Sequence, residues 1–297
     1  MKKFPFRRWV VIVLILVLTP FAFYNLYSRM KKSKAGEMKT QSPEKLISLK
    51  QDTTIRVGRF DVSILIPEGK TRASMLVLPG WNFGRMDWCT HTSLCAKAKS
   101  QGYVLILPEM GKSLYSSGVF PETENEFRKY PTRTWLTDTM ILFVRNHFSL
   151  LLPGENNFIV GLSTGGRGVA LTLAHTENIF RAAAALSGDF DQTLEPGEPL
   201  CNKVYGSIKK FPERWTGEDN PAYMISKINV PIFLAHGKAD AVVPFIQTDS
   251  FFHLLKKTNQ NQAILFSPPD AGHNWLFWSS CVDSVYQFFE KNLLPDH

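Results

Sequence analysis

Short apolar, β-rich runs recur along the chain at residues 74–78, 103–107, 157–161, 182–186, 231–235 and 263–266. Between most of them lie stretches whose apolar residues return every three or four positions, as at 134–148, 168–175 and 246–257. A continuous apolar run reads as a buried strand and a 3.6-residue period as an amphipathic helix. The alternation therefore predicts an α/β fold, a mostly parallel central sheet flanked by helices. Ahead of it, "TTIRVGRFDVSILIPEG" holds two alternating runs around a turn, which predicts an antiparallel hairpin at the start of the sheet. The folded domain is expected over 51–297. Two polar connections interrupt the pattern, at 109–130 and 188–220. The second is longer than connections in such sheets usually are, and it is expected to form a small cap.

The first 50 residues follow a different pattern. From Trp9 to Tyr27, "WVVIVLILVLTPFAFYNLY" runs for 19 residues without a charge, enough for one helix to cross a hydrocarbon core. Residues 1–27 are expected to be a transmembrane signal anchor with the lipid bilayer as partner. A cleaved signal peptide and a secreted domain are the competing reading, against which no small-x-small site directly follows the apolar run. Residues 28–50 are polar and lysine-rich, without helical or strand period, and read as a basic tether. Basic residues flank the apolar run on both sides, so they do not fix its orientation. By the common behaviour of such anchors, the globular part is expected outside the cytoplasm.

Charge separates the same two regions. The formal net charge is +8, but residues 1–50 hold 11 Lys/Arg against 2 Asp/Glu, and residues 51–297 hold 23 against 24. The basicity belongs to the N-terminal segment, which leaves the globular part no electrostatic case for binding nucleic acid. The four cysteines, Cys89, Cys95, Cys201 and Cys281, allow two disulfides in an oxidising compartment. The default for each is burial as a small apolar residue. Cys89-x-His91-x-x-x-Cys95 lacks a fourth ligand and no H-E-x-x-H is present, so neither a metal nor another cofactor is inferred. Nothing in the chain speaks to oligomeric state.

Candidate chemistry centres on "FIVGLSTGGRGVA", residues 158–170. Gly161-x-Ser163-x-Gly165 at the end of an apolar run fits a nucleophile elbow, a sharp strand-to-helix turn that holds a serine in a strained conformation. A serine hydroxyl needs a base within hydrogen-bond reach and a carboxylate to orient that base. In the order such a fold requires, Asp240 follows "PIFLAHG" and His273 follows "AILFSPP". Asp189 and Asp191 come one strand too early for the acid and read as pocket lining or turn caps. His236, beside Gly237 at a strand end, reads as support for Asp240. An oxyanion needs two donors: the N–H of Thr164, directly after the serine, and that of Trp81, in the loop after "MLVLPG".

From about Thr53 to Leu294 the chain resembles the esterase family of α/β-hydrolases that includes esterase D (S-formylglutathione hydrolase), tributyrin esterases, feruloyl esterases and mycolyltransferases. The resemblance is most specific at "GLSTGGRGVALTLA" and at "AGHNWLFWSSCVDSVYQFF", where His273, Trp275 and Trp278 form a His-x-Trp-x-x-Trp pattern. It implies an α/β-hydrolase fold, with Ser163 as nucleophile, His273 as base, Asp240 as acid and the amides of Trp81 and Thr164 as oxyanion hole. Pro79-Gly80 stands where many members have His-Gly, and Thr164 where a methionine often follows the nucleophile. Both departures keep the amides and change the pocket. Trp215, Trp275 and Trp278 are the aromatic residues expected to line that pocket. The expected reaction is hydrolysis of a small-molecule or acylated-carbohydrate carboxylic ester through an acyl-enzyme. Transfer of the acyl group to another alcohol would use the same residues. A non-catalytic, membrane-tethered binding protein is the third reading, and the filled triad and oxyanion positions count against it. A serine peptidase on this fold is less expected, since no substrate-gating domain accompanies it.

Overall fold

In the computed structural model, residues 49–258 and 263–295 are described. Their strands are β1 (Thr53–Val57), β2 (Phe60–Leu65), β3 (Ala73–Leu78), β4 (Tyr103–Pro108), β5 (Asn157–Leu162), β6 (Ala182–Leu186), β7 (Ile232–Ala235) and β8 (Ala263–Phe266). They form one sheet in the order β1-β2-β4-β3-β5-β6-β7-β8. β1 and β2 make the expected hairpin, β2 pairs antiparallel with β4, and all later pairings are parallel. This is the α/β-hydrolase arrangement.

Side chains alternate across the sheet with the two-residue period of a strand. On β5, Phe158, Val160 and Leu162 pack on one face and Ile159 on the other. Helices cover both faces, which is why the central strands read as continuous apolar runs rather than alternating ones. One face holds α1 (Asp87–His91), α2 (Leu94–Gln101) and α8 (Trp275–Glu290); the other holds α3 (Ile141–Phe148), α4 (Thr164–His175) and α7 (Ile246–Lys257). α3 is the end of a longer rod that begins as one turn at Arg133–Trp135 and passes through a π-helical stretch at Leu136–Met140. The expected helix over 168–175 begins earlier, at Thr164, because the chain turns helical directly after Ser163.

Residues 188–220 fold as a cap with a 3-10 turn at Gln192–Leu194 and two short helices, α5 (Pro199–Tyr205) and α6 (Pro212–Trp215). The expected anchor at 1–27 lies outside the described residues, as does all but the end of the tether. Among the described residues no helix is long and apolar enough to cross a membrane.

Two of the cysteines depart from the default of free, buried residues. The tight link between α1 and α2 brings Cys89 and Cys95 together as a disulfide, while Cys201 and Cys281 are free and buried. Alkylation of the denatured, unreduced chain should therefore modify two thiols, and four after reduction; four before reduction would exclude the bridge.

Candidate active site

The site begins with a steric constraint at the end of β5. Ser163 has φ 55° and ψ −129°, a conformation that costs a non-glycine residue about 1–3 kcal/mol. It is over-determined by its neighbours. The N–H of Ser163 donates to Leu186 O on β6 at 2.8 Å, and its carbonyl accepts the N–H of Gly166 at 2.8 Å and of Arg167 at 3.2 Å. The turn is so tight that a Cβ on Gly165 would stand 2.6 Å from the carbonyl oxygens of Leu78 and Pro79, and one on Gly161 would collide with the carbonyl of Gly165. The two glycines are therefore required by close backbone approach.

Parallel strands β7 and β8 deliver the partners at the same end of the sheet. The Ser163 hydroxyl lies 3.0 Å from His273 Nε2, and His273 Nδ1 lies 2.7 Å from Asp240 Oδ2. With Asp240 ionised, Nδ1 donates to the carboxylate and Nε2 is left to accept the serine proton. The other carboxylate oxygen of Asp240 accepts the N–H groups of Val242 and Val243, each at 2.9 Å. His236 is fully buried beside it, with Nε2 3.2 Å from Asp240 Oδ2 and 2.9 Å from the carbonyl of Val243. A carbonyl only accepts, so Nε2 carries a proton, and Nδ1 is hydrogen-bonded to the Thr248 hydroxyl at 2.6 Å. Burial alone would raise the pKa of Asp240, but hydrogen bonds from His236, His273 and Val243 outweigh it and hold the carboxyl well below the usual range.

Two N–H groups remain for an oxyanion. Among the described residues, neither Trp81 nor Thr164 donates its backbone N–H to another group, whereas Asn82 next to Trp81 gives its own to Gly111 O at 2.8 Å. The loop that carries Trp81 is strapped in place by Trp88, whose Nε1 donates to Leu78 O at 3.1 Å, and by Tyr115, whose hydroxyl donates to Pro79 O at 2.9 Å. Trp81, Ser163, Thr164 and His273 all border one cavity of about 280 Å³.

The structure brings Ser163, Asp240, His273, Trp81 and Thr164 to that cavity or its edge, and places the three expected pocket tryptophans elsewhere. Trp215 is fully buried in the cap, in a small cluster with Tyr205, Cys201 and Leu114, and its Nε1 donates to Gly206 O at 2.9 Å. Trp278 is buried beneath His273, edge-on to its ring at 5.0 Å, with its Nε1 on the Ser187 hydroxyl at 3.1 Å. Trp275 is wedged beside it, stacked on His91 at 4.7 Å and 5.3 Å from Phe83. The aromatic pattern after His273 thus supports the histidine and makes no wall for a substrate. Cavity walls come instead from Phe83, Leu114, Val242 and Val243 on the apolar side, and from Gln192, Glu195 and Glu198 of the cap beside Asp189, which was expected as pocket lining or a turn cap. Asp191 caps the Gln192–Leu194 turn, its carboxylate accepting the Thr193 N–H at 2.9 Å.

Fold and geometry define a serine hydrolase of the α/β-hydrolase superfamily. The chain belongs to the prolyl oligopeptidase family, whose family model matches residues 146–294. It is 22% identical over 236 residues to an acetyl esterase of Caldicellulosiruptor saccharolyticus, covering 73% of this chain and 83% of that protein. Among solved structures it resembles FphF, a fluorophosphonate-binding serine hydrolase of Staphylococcus aureus (TM-score 0.64, 17% identity, 80% of this chain and 98% of that one). It also resembles an S-formylglutathione hydrolase of Agrobacterium tumefaciens (TM-score 0.64, 13% identity, 82% and 95%). These solved structures share the fold of this chain, the α/β-hydrolase fold that its resemblance to the esterase D group implies.

Asp240→Asn keeps the shape and removes the charge. It should lower kcat/KM for an activated ester by roughly 10⁴-fold, the size of loss seen when a triad carboxylate becomes an amide. The stability that Asp240 contributes is present above the unfolded carboxylate pKa of about 3.9 and is lost as pH falls through its depressed folded value. The variant should therefore lack part of the parent's loss of stability in acid, as read by denaturant unfolding between neutral pH and pH 3. Parallel acid profiles would show that the carboxyl is not held ionised.

Proposed function

We propose that the protein hydrolyses carboxylic esters through an acyl-enzyme formed on Ser163. The observation that carries this reading is the hydrogen-bonded chain from Ser163 Oγ through His273 to Asp240, at 3.0 and 2.7 Å. As Ser163 Oγ attacks the ester carbonyl, His273 Nε2 takes its proton. The oxyanion of the tetrahedral intermediate receives the N–H groups of Trp81 and Thr164, each such donor being worth about 3 kcal/mol in the transition state. Collapse breaks the bond to the alcohol oxygen, which leaves with the proton from His273. Water, deprotonated by the same nitrogen, then attacks the acyl-enzyme to release the acid and restore Ser163. Asp240 holds the imidazole in the required tautomer and stabilises its cationic form.

The prolyl oligopeptidase family is named for peptide cleavage, but the relative that covers 73% of this chain is an acetyl esterase. An alkoxide also departs more readily than an amine, so the ester reading asks less of the site. For localisation, we take residues 1–27 as the anchor and the domain as extracytoplasmic; the Cys89–Cys95 disulfide supports an oxidising compartment.

A membrane-impermeant fluorophosphonate added to intact cells expressing the full chain should label Ser163, and labelling should vanish in Ser163→Ala and His273→Ala. No label even on folded, detergent-purified protein would overturn the enzymatic reading. Label on purified protein but never on intact cells would overturn the localisation alone.

The charge of the cavity wall generates a second expectation. Glu195 and Glu198 border the cavity, Asp189 beside them is paired with Arg167, and no lysine or arginine lines the cavity itself among the described residues. An ester bearing a carboxylate should react at least about tenfold less efficiently than its neutral isostere, because like charges repel strongly where water is excluded. The ratio should narrow in Glu198→Gln; equal rates for the two esters in the parent would rule out charge selection.

A further inference from the structure

Arg167 is the fourth residue after Ser163, one turn into α4, and its side chain is completely buried. Its guanidinium is bonded in every direction. Nε donates to Leu114 O at 3.2 Å and Nη1 to Asp189 Oδ2 at 3.1 Å. Nη2 donates to Gln192 Oε1 at 2.6 Å, to the Tyr205 hydroxyl at 3.2 Å and to the carbonyl of Asp219. These partners come from separate segments: the 109–130 connection, the start of the cap, α5 and the far end of the cap. The far end is fastened in turn, since the Asp219 carboxylate accepts the N–H of Ser117 at 2.6 Å and its hydroxyl at 2.9 Å.

Three of the five partners, Leu114, Asp189 and Gln192, border the cavity beside Ser163, while Tyr205 and Asp219 do not. The helix that begins at the candidate nucleophile therefore also holds the opposite wall of its pocket. Burying a guanidinium costs several kcal/mol that ion pairing alone often fails to offset, and a methionine could fill the same space. Arginine does what an apolar residue or a lysine cannot: its planar fork reaches acceptors on four segments at once.

We propose that Arg167 is a positioning residue for specificity: it fixes the wall formed by Leu114, Asp189 and Gln192 at a set distance from Ser163 and so limits the length of the group the cavity accepts. The inference rests on the ester-hydrolase reading of the same cavity. Its effect is on fit, because Arg167 makes no contact with Ser163 Oγ, His273 or Asp240 side chains among the described residues.

The test compares the full-length parent with Arg167→Lys and Tyr205→Phe, the latter removing one partner that does not border the cavity. Hydrolysis of p-nitrophenyl acetate, butyrate and octanoate gives the chain-length preference, and the rate of fluorophosphonate labelling reports the reactivity of Ser163 apart from it. In Arg167→Lys the ratio of kcat/KM between preferred and disfavoured chain lengths should fall by about tenfold or more, mainly through KM, with labelling changed by less than about threefold. Tyr205→Phe should move the ratio in the same direction by a smaller factor. Hydrogen exchange of residues 112–118, 189–194 and 203–220 should accelerate in Arg167→Lys while the central strands stay protected. An unchanged ratio in both variants, or labelling that falls in step with every ester, would overturn the proposal. If Arg167→Lys does not fold, an unchanged ratio in Tyr205→Phe is sufficient to overturn it. A parent that neither labels nor hydrolyses defeats the ester reading instead, and the positioning claim then stands or falls on the exchange of those three segments.

Discussion

The chemistry of this protein depends on one close approach of backbone to backbone, where Gly165 passes the carbonyls of Leu78 and Pro79 and Gly161 passes the carbonyl of Gly165. Side chains at either position would push the helix away from the sheet, and the strained φ of Ser163 would lose the contacts that enforce it. With both glycines in place the chain turns within one residue from the last position of β5 to the first of α4. That leaves the serine hydroxyl at the sheet's edge, and the N–H of Thr164 free at the start of a helix, where a positive partial charge is already present. The same approach sets the loop after β3 against the elbow, which is how the Trp81 amide comes to share a cavity with Ser163.

Two later strands complete the site with little freedom. β7 and β8 run parallel to β5, so their following loops open at the same end of the sheet. Asp240 is then locked by two backbone N–H groups and by His236, and His273 rests edge-on against Trp278. Each residue of the candidate site is thus positioned by elements of the central fold, as accurate chemistry requires.

The sheet, and the meeting of Ser163, His273 and Asp240 at one end of it, were legible in the sequence for a common reason. Strands buried on both faces leave unbroken apolar runs, and the elbow leaves glycines at fixed spacing from the serine. Asp240 and His273 then follow from chain order. The pocket was not legible, because its walls depend on contacts between distant segments. Trp275 and Trp278 look like pocket aromatics in sequence, yet α8 turns them toward Phe83, Trp88 and His91 to brace the histidine. Trp215 serves the cap's own small core. Cys89 and Cys95 carry no mark of pairing beyond proximity in sequence, and only the α1–α2 turn brings them together. Arg167 and Tyr115 lie among residues read as part of a helix and a polar loop. Nothing in their neighbours in sequence indicates that one would tie four segments together and the other would strap the loop before Trp81.

This difference in legibility follows a division within the molecule. The candidate triad hangs on backbone geometry: glycines, strand ends and N–H donors. The wall that meets the substrate hangs on one guanidinium and the carboxylates and amides around it. Backbone geometry tolerates few substitutions, whereas a side-chain network can be redrawn by exchanging one partner. A site built in this way can change its pocket through residues 109–130 and 188–220 while Ser163, His273 and Asp240 keep their distances.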